Sequence, residues 1–513
     1  MLISDTKLKK LTDFFKNEFP SKKRRNVNIF FENNFEDWLC LMLGKFLVAK
    51  GIQEKTNGRV FAIKQKKDIK YEKLCESMDF NACFFYEDVT WKDKIFAYGY
   101  AMVFCLFKNN GGNILKLHYK GIHIGDLIYD YLIRMCKETI YTVERIETKE
   151  QFRLLAESFL YAIYFNNYFK THVPDYFIAG DIVYLNGIIV RAALKYNAKI
   201  VEFCTGKYVY EISKNEWNDY EPNYHKCCVD RIEKYRKVQL QSSWREEIEK
   251  KIESLFLGVG DWNTKEAYFD KKITTKEKLL RSLKIENNKK NIVIMAHCFS
   301  DSPHNGGGFI YKDYFQWFSE TLKIVKELDN VNWIVKAHPC RKYYGEEGTV
   351  ERLFEQNKSK SLFWMPDEYS SRMVPVIADA VITVSGTGGI EFSCCGIPCV
   401  NVGNPFYSYF GFTIDVKSEK QYQRVLRNMH RIHGLNKEQI ETAKEVLYVY
   451  SKITGFSEDS LQQLFNEFYY DYRKKKDTFK NNNQMVDAII EWKKNNFIED
   501  SEIYKKGFNI GVS

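Results

Sequence analysis

Two apolar runs in the second half of the chain end in residues able to hold an anion. The first, VNWIVKAHP, closes on Lys336, His338 and Pro339. The second, VITV, runs directly into Ser385, Gly386, Thr387, Gly388 and Gly389, with Glu391 opening a helix. A strand, a glycine turn and a helix start leave backbone N–H groups without intrahelical partners, and the helix dipole adds to their pull on negative charge. A histidine at the end of a neighbouring parallel strand would point into the same crevice. The pattern predicts a site for a phosphate-bearing ligand, a nucleotide above all. Phosphate would lie on the Ser385–Gly389 amides and Glu391 would accept hydrogen bonds from ribose hydroxyls. The same glycines also suit close packing of a helix on a sheet, and His338 also fits a hydrogen-bonded loop residue.

Three further loops carry polar groups at strand ends. In AHCFSDSPH, His297, Ser300 and His304 are candidates to contact the phosphate or sugar of a donor. His297, Asp301 and His304 are also ligand types for zinc, but no further ligand cluster stands at metal spacing, so no metal is expected. No GxSxG elbow supports serine hydrolysis. Trp364, in WMPDE, fits either a wall for a base or a core tryptophan beside an edge loop. Asp126, in YKGIHIGD, fits a helix N-cap or a catalytic carboxylate, with Asp175, Asp181 and Asp301 next in line.

The elements that must position these groups are strands alternating with helices, the pattern of an α/β protein with parallel sheets. In the first half, Val27–Glu32, Gly58–Ile63, Asn113–Tyr119, Asp175–Ala179 and Lys199–Phe203 read as strands. After IENNKK the alternation restarts with strands at Ile292–Ala296, Trp333–Lys336, Leu362–Trp364, Ala380–Val384 and Cys399–Val402. Between them lie helices at Tyr314–Glu327, Ser370–Ala378 and Ile390–Cys395. The expected division is a Rossmann-like domain over residues 1–285, a second over 291–420, and a helical segment with a polar tail over 421–513. No repeat of fixed period appears.

At 513 residues the chain exceeds one ordinary core. A net charge of +10 is modest for this length. It suits an anionic substrate or membrane surface and does not call for nucleic acid. The thirteen cysteines include two adjacent pairs and no zinc spacing, and Met1–Lys10 is polar, unlike a signal peptide. Free thiols in the cytosol are expected. The longest apolar run, Ile95–Phe107, is too short to span a bilayer.

The order strand–HP, base loop, GTGGIE, CGIPCV and GNPFY–GFT resembles bacterial capsule and surface-polysaccharide glycosyltransferases of the GT-B fold, and KGIHIGDLIYD and HCFSDSPH are similar to patterns of that group. GNPFYSYFGFT is similar to the end of the same region in capsule Kdo transferases. The resemblance covers about Asn291–Thr413 well and Asn113–Phe203 in patches. It lacks the acidic-acidic-glycine motif of the sialyltransferases.

The resemblance implies two Rossmann-type domains, with a nucleotide-sugar donor on the second and a glycan or glycolipid acceptor on the first. His338 would contact donor phosphate and Glu391 the donor ribose. Beyond the nucleotide-sugar substrate no cofactor is implied, and the setting would be the cytoplasm, at the inner membrane or a polysaccharide assembly complex. A CDP-glycerol-type polyol-phosphate transferase and a GT-B-type nucleotide-sugar epimerase are the alternatives. If amides and a histidine neutralise the phosphate, EDTA should leave turnover intact. Loss of turnover on chelation, restored by Mg²⁺ or Mn²⁺, would contradict the metal-independent reading.

Overall fold

The computed structural model describes the chain apart from residues 23–25, 34–37, 137–139, 181, 205–207, 213–223, 239, 241, 261, 286–287, 306–307, 454–459, 475–476, 497 and 511–513. Asp181 and parts of the basic runs 22–25 and 473–476 therefore lie outside the described residues. The chain forms two units. One comprises Met1–Tyr131, Glu144–Tyr220 and Thr454–Ser513, and the other Leu132–Val143 and Glu221–Ile453. The expected 421–513 segment does not stand apart, and residues 221–285 group with the second unit rather than the first. The reason is packing. Leu461, Phe465, Met485, Val486 and Ile489 share a core with Phe15, Leu39 and Phe46 of the first unit. Val446 and Leu447 instead pack with Trp244, Ile248 and Ile390 of the second.

Each unit carries a six-stranded sheet. Numbered along the chain, the strands of both sheets lie in the order 3-2-1-4-5-6. This doubly wound order reverses direction between its first and fourth strands, and ligands of such sheets bind outside the carboxyl ends there. The first sheet runs Phe80–Phe84, Arg59–Lys64, Asn28–Glu32, Tyr176–Ala179, Lys199–Cys204 and Tyr208–Ile212. All its pairs are parallel except the last. At its reversal point Glu32 is buried, and its Oε1 lies 2.6 Å from Lys45 Nζ and accepts the Gly180 N–H at 3.0 Å.

Two expectations for this unit fail. NILKLHY is not one strand: residues Gly111–Leu115 are helical, because the Asn110 side chain accepts the Asn113 N–H and starts a turn. Only His118–Tyr119 is extended, pairing antiparallel with Ile122–His123. Gly125 follows, where a Cβ would sit 2.1 Å from the Ile114 carbonyl oxygen, so only glycine fits. Asp126 is then inside the first turn of helix Gly125–Met135, not its N-cap. It is buried in a two-pronged pair, its carboxylate oxygens accepting from Arg191 Nη1 and Nη2 at 2.6 Å each. Arg191 Nη1 also donates to the His123 carbonyl at 2.9 Å. Both carboxylate oxygens are held by a fixed cation, so Asp126 is a structural anchor and not a base.

The second sheet is wholly parallel: Leu362–Met365, Asn332–Lys336, Asn291–Met295, Ala380–Thr383, Cys399–Asn401 and Thr413–Asp415. Its central strands Asn291–Met295, Asn332–Lys336 and Ala380–Thr383 are buried on both faces, as a sheet covered on both sides requires. Helix Tyr314–Val325 covers one face. The Asp313 side chain accepts the Gln316 N–H at 2.7 Å and starts it. The residues it buries include Tyr314, Trp317, Phe318, Leu322 and Val325, spaced to form one stripe. The predicted helix 370–378 is instead a 3₁₀ turn, Ser371–Met373, followed by the short helix Val374–Ile377, which carries Pro375 near its start.

Removing one partner of a buried ion pair strands the other charge, a loss of about 3–5 kcal/mol. Asp126→Ala should therefore unfold at markedly lower denaturant than wild type, and Asp126→Ala/Arg191→Met should recover part of the loss. Wild-type stability in Asp126→Ala, measured by urea titration, would contradict the anchoring role.

Candidate functional site

The loops leaving the first and fourth strands of the second sheet meet at its reversal point. His297, two residues beyond Met295, places Nε2 3.0 Å from Thr383 Oγ1 and accepts the Val384 N–H there at 3.3 Å. Thr383 Oγ1 in turn accepts the Gly386 N–H at 3.2 Å, so its own proton points to His297. The ring is clamped by Tyr314, stacked at 4.6 Å between centroids, with Trp317 edge-on at 6.0 Å. With Nε2 accepting, the proton of the neutral ring sits on Nδ1, which donates to nothing among the described residues. Burial, then the neighbouring His338, pushes the His297 pKa down to about 3. The ring is therefore a neutral hydrogen-bond donor at working pH.

His338 stands beside it, with ring centroids 6.4 Å apart. Its Nδ1 accepts the Cys340 N–H at 3.2 Å and lies 3.3 Å from Cys298 Sγ, an arrangement that leaves the proton of the neutral ring on Nε2. The strand end and Pro339 turn fix the ring, as the sequence order implies.

The glycine turn divides into engaged and unengaged amides. The Gly386 amide is held by Thr383, and the Gly389 amide donates to the Gly386 carbonyl at 3.0 Å. The N–H groups of Ser385, Thr387 and Gly388 make no hydrogen bond among the described residues. Helix Gly388–Ser393 is only six residues long, two residues earlier than expected, so its dipole adds little and an anion here would be met by those three amides. Gly389 serves packing: a Cβ there would lie 2.2 Å from Tyr407 Oη, whose hydroxyl donates to the Gly386 carbonyl at 2.6 Å. Glu391 is half-buried one turn on, and its Oε2 accepts the Tyr268 hydroxyl.

Other expected contacts are engaged inside the fold. Ser300 is fully buried. Its N–H and hydroxyl donate to Glu346 Oε1 at 2.8 and 2.5 Å, while the Phe299 N–H donates to Oε2 at 2.7 Å. The chain's own carboxylate thus occupies the anion nest of the HCFS loop, and burial holds its pKa above the usual carboxylate range. Ser300 is a Glu346 anchor and not a ligand contact. Lys336 is buried with Nζ donating to the Tyr369 carbonyl at 3.3 Å, and burial, then Lys271, lowers its pKa to about 7. Trp364 is half-buried on the edge strand against Phe354, 5.5 Å between centroids. His304 is half-buried at the far end of its loop.

Beyond Pro339 a cleft of about 280 Å³ is lined by Lys271, Arg341 and Asp367, among others. Arg341 Nη1 donates to Asp367 Oδ1 at 3.0 Å and Nη2 to Oδ2 at 2.5 Å, so Asp367 of WMPDE fixes the arginine. Among the described residues, no group of three or more His, Cys, Asp or Glu is placed to hold a metal ion. Of the alternative bases, Asp175 lies at the amino end of its strand, where Oδ2 accepts the Asn28 N–H at 2.7 Å, the end away from a switch-point ligand. Asp301 is exposed in the loop of the second unit.

Sequence reading missed Thr383, which aligns His297, and Glu346, which fills the neighbouring nest. A threonine closing an apolar strand before a glycine turn is a usable signal for the first. The second had none, since its partner is 46 residues away.

No family model and no curated protein matches the chain. Among solved structures it is similar to the β-Kdo 2,4 transferase of KpsC from Thermosulfurimonas dismutans, with 14% identity over 53% of this chain and 79% of that one, TM-score 0.36. It is also similar to a UDP-GlcNAc 2-epimerase from Neisseria meningitidis, with 11% identity over 84% and 97%, TM-score 0.25. A trehalose-phosphate synthase from Burkholderia vietnamiensis gives 9% over 88% and 98%, TM-score 0.33. At these identities and TM-scores the likenesses say nothing of substrate or reaction.

A folded pKa of about 3 against an ordinary 6.5 has a definite sign. Between those values the unfolded chain binds a proton that the folded chain refuses, so stability falls as pH drops through the window. From pH 6.5 to 5 the loss is on the order of 2 kcal/mol. His297→Gln should lose less stability than wild type between pH 7 and 5. An equal loss of stability in wild type and His297→Gln, from denaturant titrations at the two pH values, would contradict a neutral His297.

Proposed function

We propose that the chain is a glycosyltransferase that moves a sugar from a nucleotide-sugar donor, CMP-Kdo or a UDP-sugar, to a growing capsule or lipopolysaccharide glycan. The observation that carries the reading is the set of unengaged amides at Ser385, Thr387 and Gly388 beside His297 and His338. It lies at the reversal point of a doubly wound sheet, where nucleotides bind. In the proposed reaction an acceptor hydroxyl oxygen bonds to the sugar's anomeric carbon and gives up its proton to solvent or a base, while the bond from that carbon to the nucleotide phosphate oxygen breaks and negative charge collects on the phosphate. Amide N–H groups, His338 and the Nδ1–H of His297 would meet that charge without reorganising, which lowers the barrier. Glu391, with one oxygen fixed by Tyr268, would accept from the ribose hydroxyls. The acceptor would bind on the first unit.

The test is a donor panel of CMP-, UDP-, GDP- and CDP-linked compounds. One nucleotide should raise the melting temperature, since a ligand at about 100 times its Kd stabilises the folded state by about 2.7 kcal/mol. Its sugar should be consumed only with a glycan acceptor. Conversion of a UDP-sugar without acceptor would make the protein an epimerase, and transfer of glycerol phosphate from CDP-glycerol a polyol-phosphate transferase. His338→Ala and Glu391→Ala should each weaken nucleotide binding about tenfold to hundredfold, as loss of a hydrogen bond to a charged or polar ligand group does. Wild-type affinity in both variants by calorimetry would refute the assigned site.

A further inference from the structure

Helix Trp91–Phe107 is anchored on the first unit by a narrow stripe. Only Ala97, Ala101 and Phe104 are buried among its residues. From Ile95 on, most of the rest is apolar and open to solvent. Ile95, Phe96, Met102 and Val103 are each more than half exposed, and Leu106 and Phe107 are 69% and 78% exposed. At about 100° of turn per residue, the exposed apolar side chains cover an arc of about 200°. Soluble helices turn an apolar face inward and a polar one outward. This helix does the reverse, and a contiguous apolar surface of this kind marks a docking site.

The charges around it say what docks. From Ile95 to Phe107 no residue is charged. Lys92 and Lys94 stand exposed at one end and Lys108 at the other. The single acid in the helix, Asp93, is turned back on its own start, where Oδ2 accepts the Thr90 N–H at 3.0 Å and hydroxyl at 2.7 Å. Of the acids just before it, Asp88 accepts the Tyr164 hydroxyl at 3.2 Å. Tyr100 meets Tyr119 edge-on at 5.5 Å, which brings exposed Lys120 to the same side. Trp91, Tyr98 and Tyr100 are exposed aromatic residues with a polar handle, the type enriched where hydrocarbon meets headgroups.

We infer that helix Trp91–Phe107 docks the protein on a bilayer with anionic headgroups, lying in the interface with its apolar arc among the acyl chains and its flanking lysines at the phosphates. Thirteen uncharged residues cannot cross the hydrocarbon, which needs about 20, and among the described residues no helix is long and apolar enough to do so. An in-plane helix is the geometry that remains. A ridge that is apolar on its crest and both flanks fits a fluid that closes around it better than the flat face of a second copy.

The experiment is flotation of the full chain with vesicles of phosphatidylcholine alone and of phosphatidylcholine mixed with phosphatidylglycerol. The protein should float with the mixed vesicles and less so as salt rises. Leu106→Ser/Phe107→Ser changes only exposed positions, so its melting temperature should match wild type while partitioning falls about tenfold or more. Lys92→Gln/Lys94→Gln/Lys108→Gln should remove the preference for the anionic vesicles, about fivefold per lysine. No flotation with either vesicle, or unchanged flotation of Leu106→Ser/Phe107→Ser, would overturn the inference. A dimer by light scattering that ignores vesicles and is dissolved by the same double substitution would assign the helix to a second copy and overturn it equally.

Discussion

The hydrogen bonds converging on His297 Nε2 hold together the two loops on either side of the reversal point in the second sheet. The Thr383 hydroxyl and the Val384 amide come from the fourth strand, and the histidine follows the first. Because Thr383 also takes the Gly386 amide, the same three residues fix how the glycine turn leaves the sheet. Without this tie, the Ser385, Thr387 and Gly388 amides would have no set direction. Helix Tyr314–Val325 contributes by stacking Tyr314 on the imidazole, so a core helix of the unit holds the ring's orientation.

A second constraint runs through both units: buried charge is answered from within the chain. Asp126 is held by Arg191, Glu32 by Lys45, and Glu346 by the Phe299 and Ser300 amides with the Ser300 hydroxyl. Burying a charge without such partners costs several kcal/mol. Polar groups at strand ends that look available for chemistry are therefore often committed to the fold. Among the described residues at the reversal point of the second sheet, the amides of Ser385, Thr387 and Gly388 and the Nδ1 of His297 are left without a hydrogen bond.

How far the sequence disclosed this depends on the range of the interaction. Asn291–Met295, Asn332–Lys336 and Ala380–Thr383 are continuous apolar runs, and the type of each strand is legible because both faces are buried. Phe80–Phe84 was not, since FNACF at a sheet edge is short and interrupted by Asn81. NILKLHY alternates like a strand, yet the local Asn110 cap and two glycines start a helix instead. The HP turn and the glycine turn were found because strand, turn and helix are consecutive. The role of Asp126 was misread because its partner is 65 residues away, and the Gly-Asp start of a helix looks the same for a cap, a base or an anchor. The placement of residues 454–513 in the first unit was hidden for the same reason: an amphipathic helix shows that it has a partner, not which one.

The central claim is that unengaged backbone amides in the turn after Thr383 receive the phosphate of a nucleotide. Thr387 allows a direct measurement, because its φ of −60° is the value proline imposes. Thr387→Pro deletes one amide proton with little change to the backbone, and Thr387→Ala keeps that proton while removing the side chain. Calorimetric titration of both variants with the nucleotide that stabilises the wild type should show near-normal affinity for Thr387→Ala and a loss of about tenfold or more for Thr387→Pro. Equal affinity in the two variants would contradict the account.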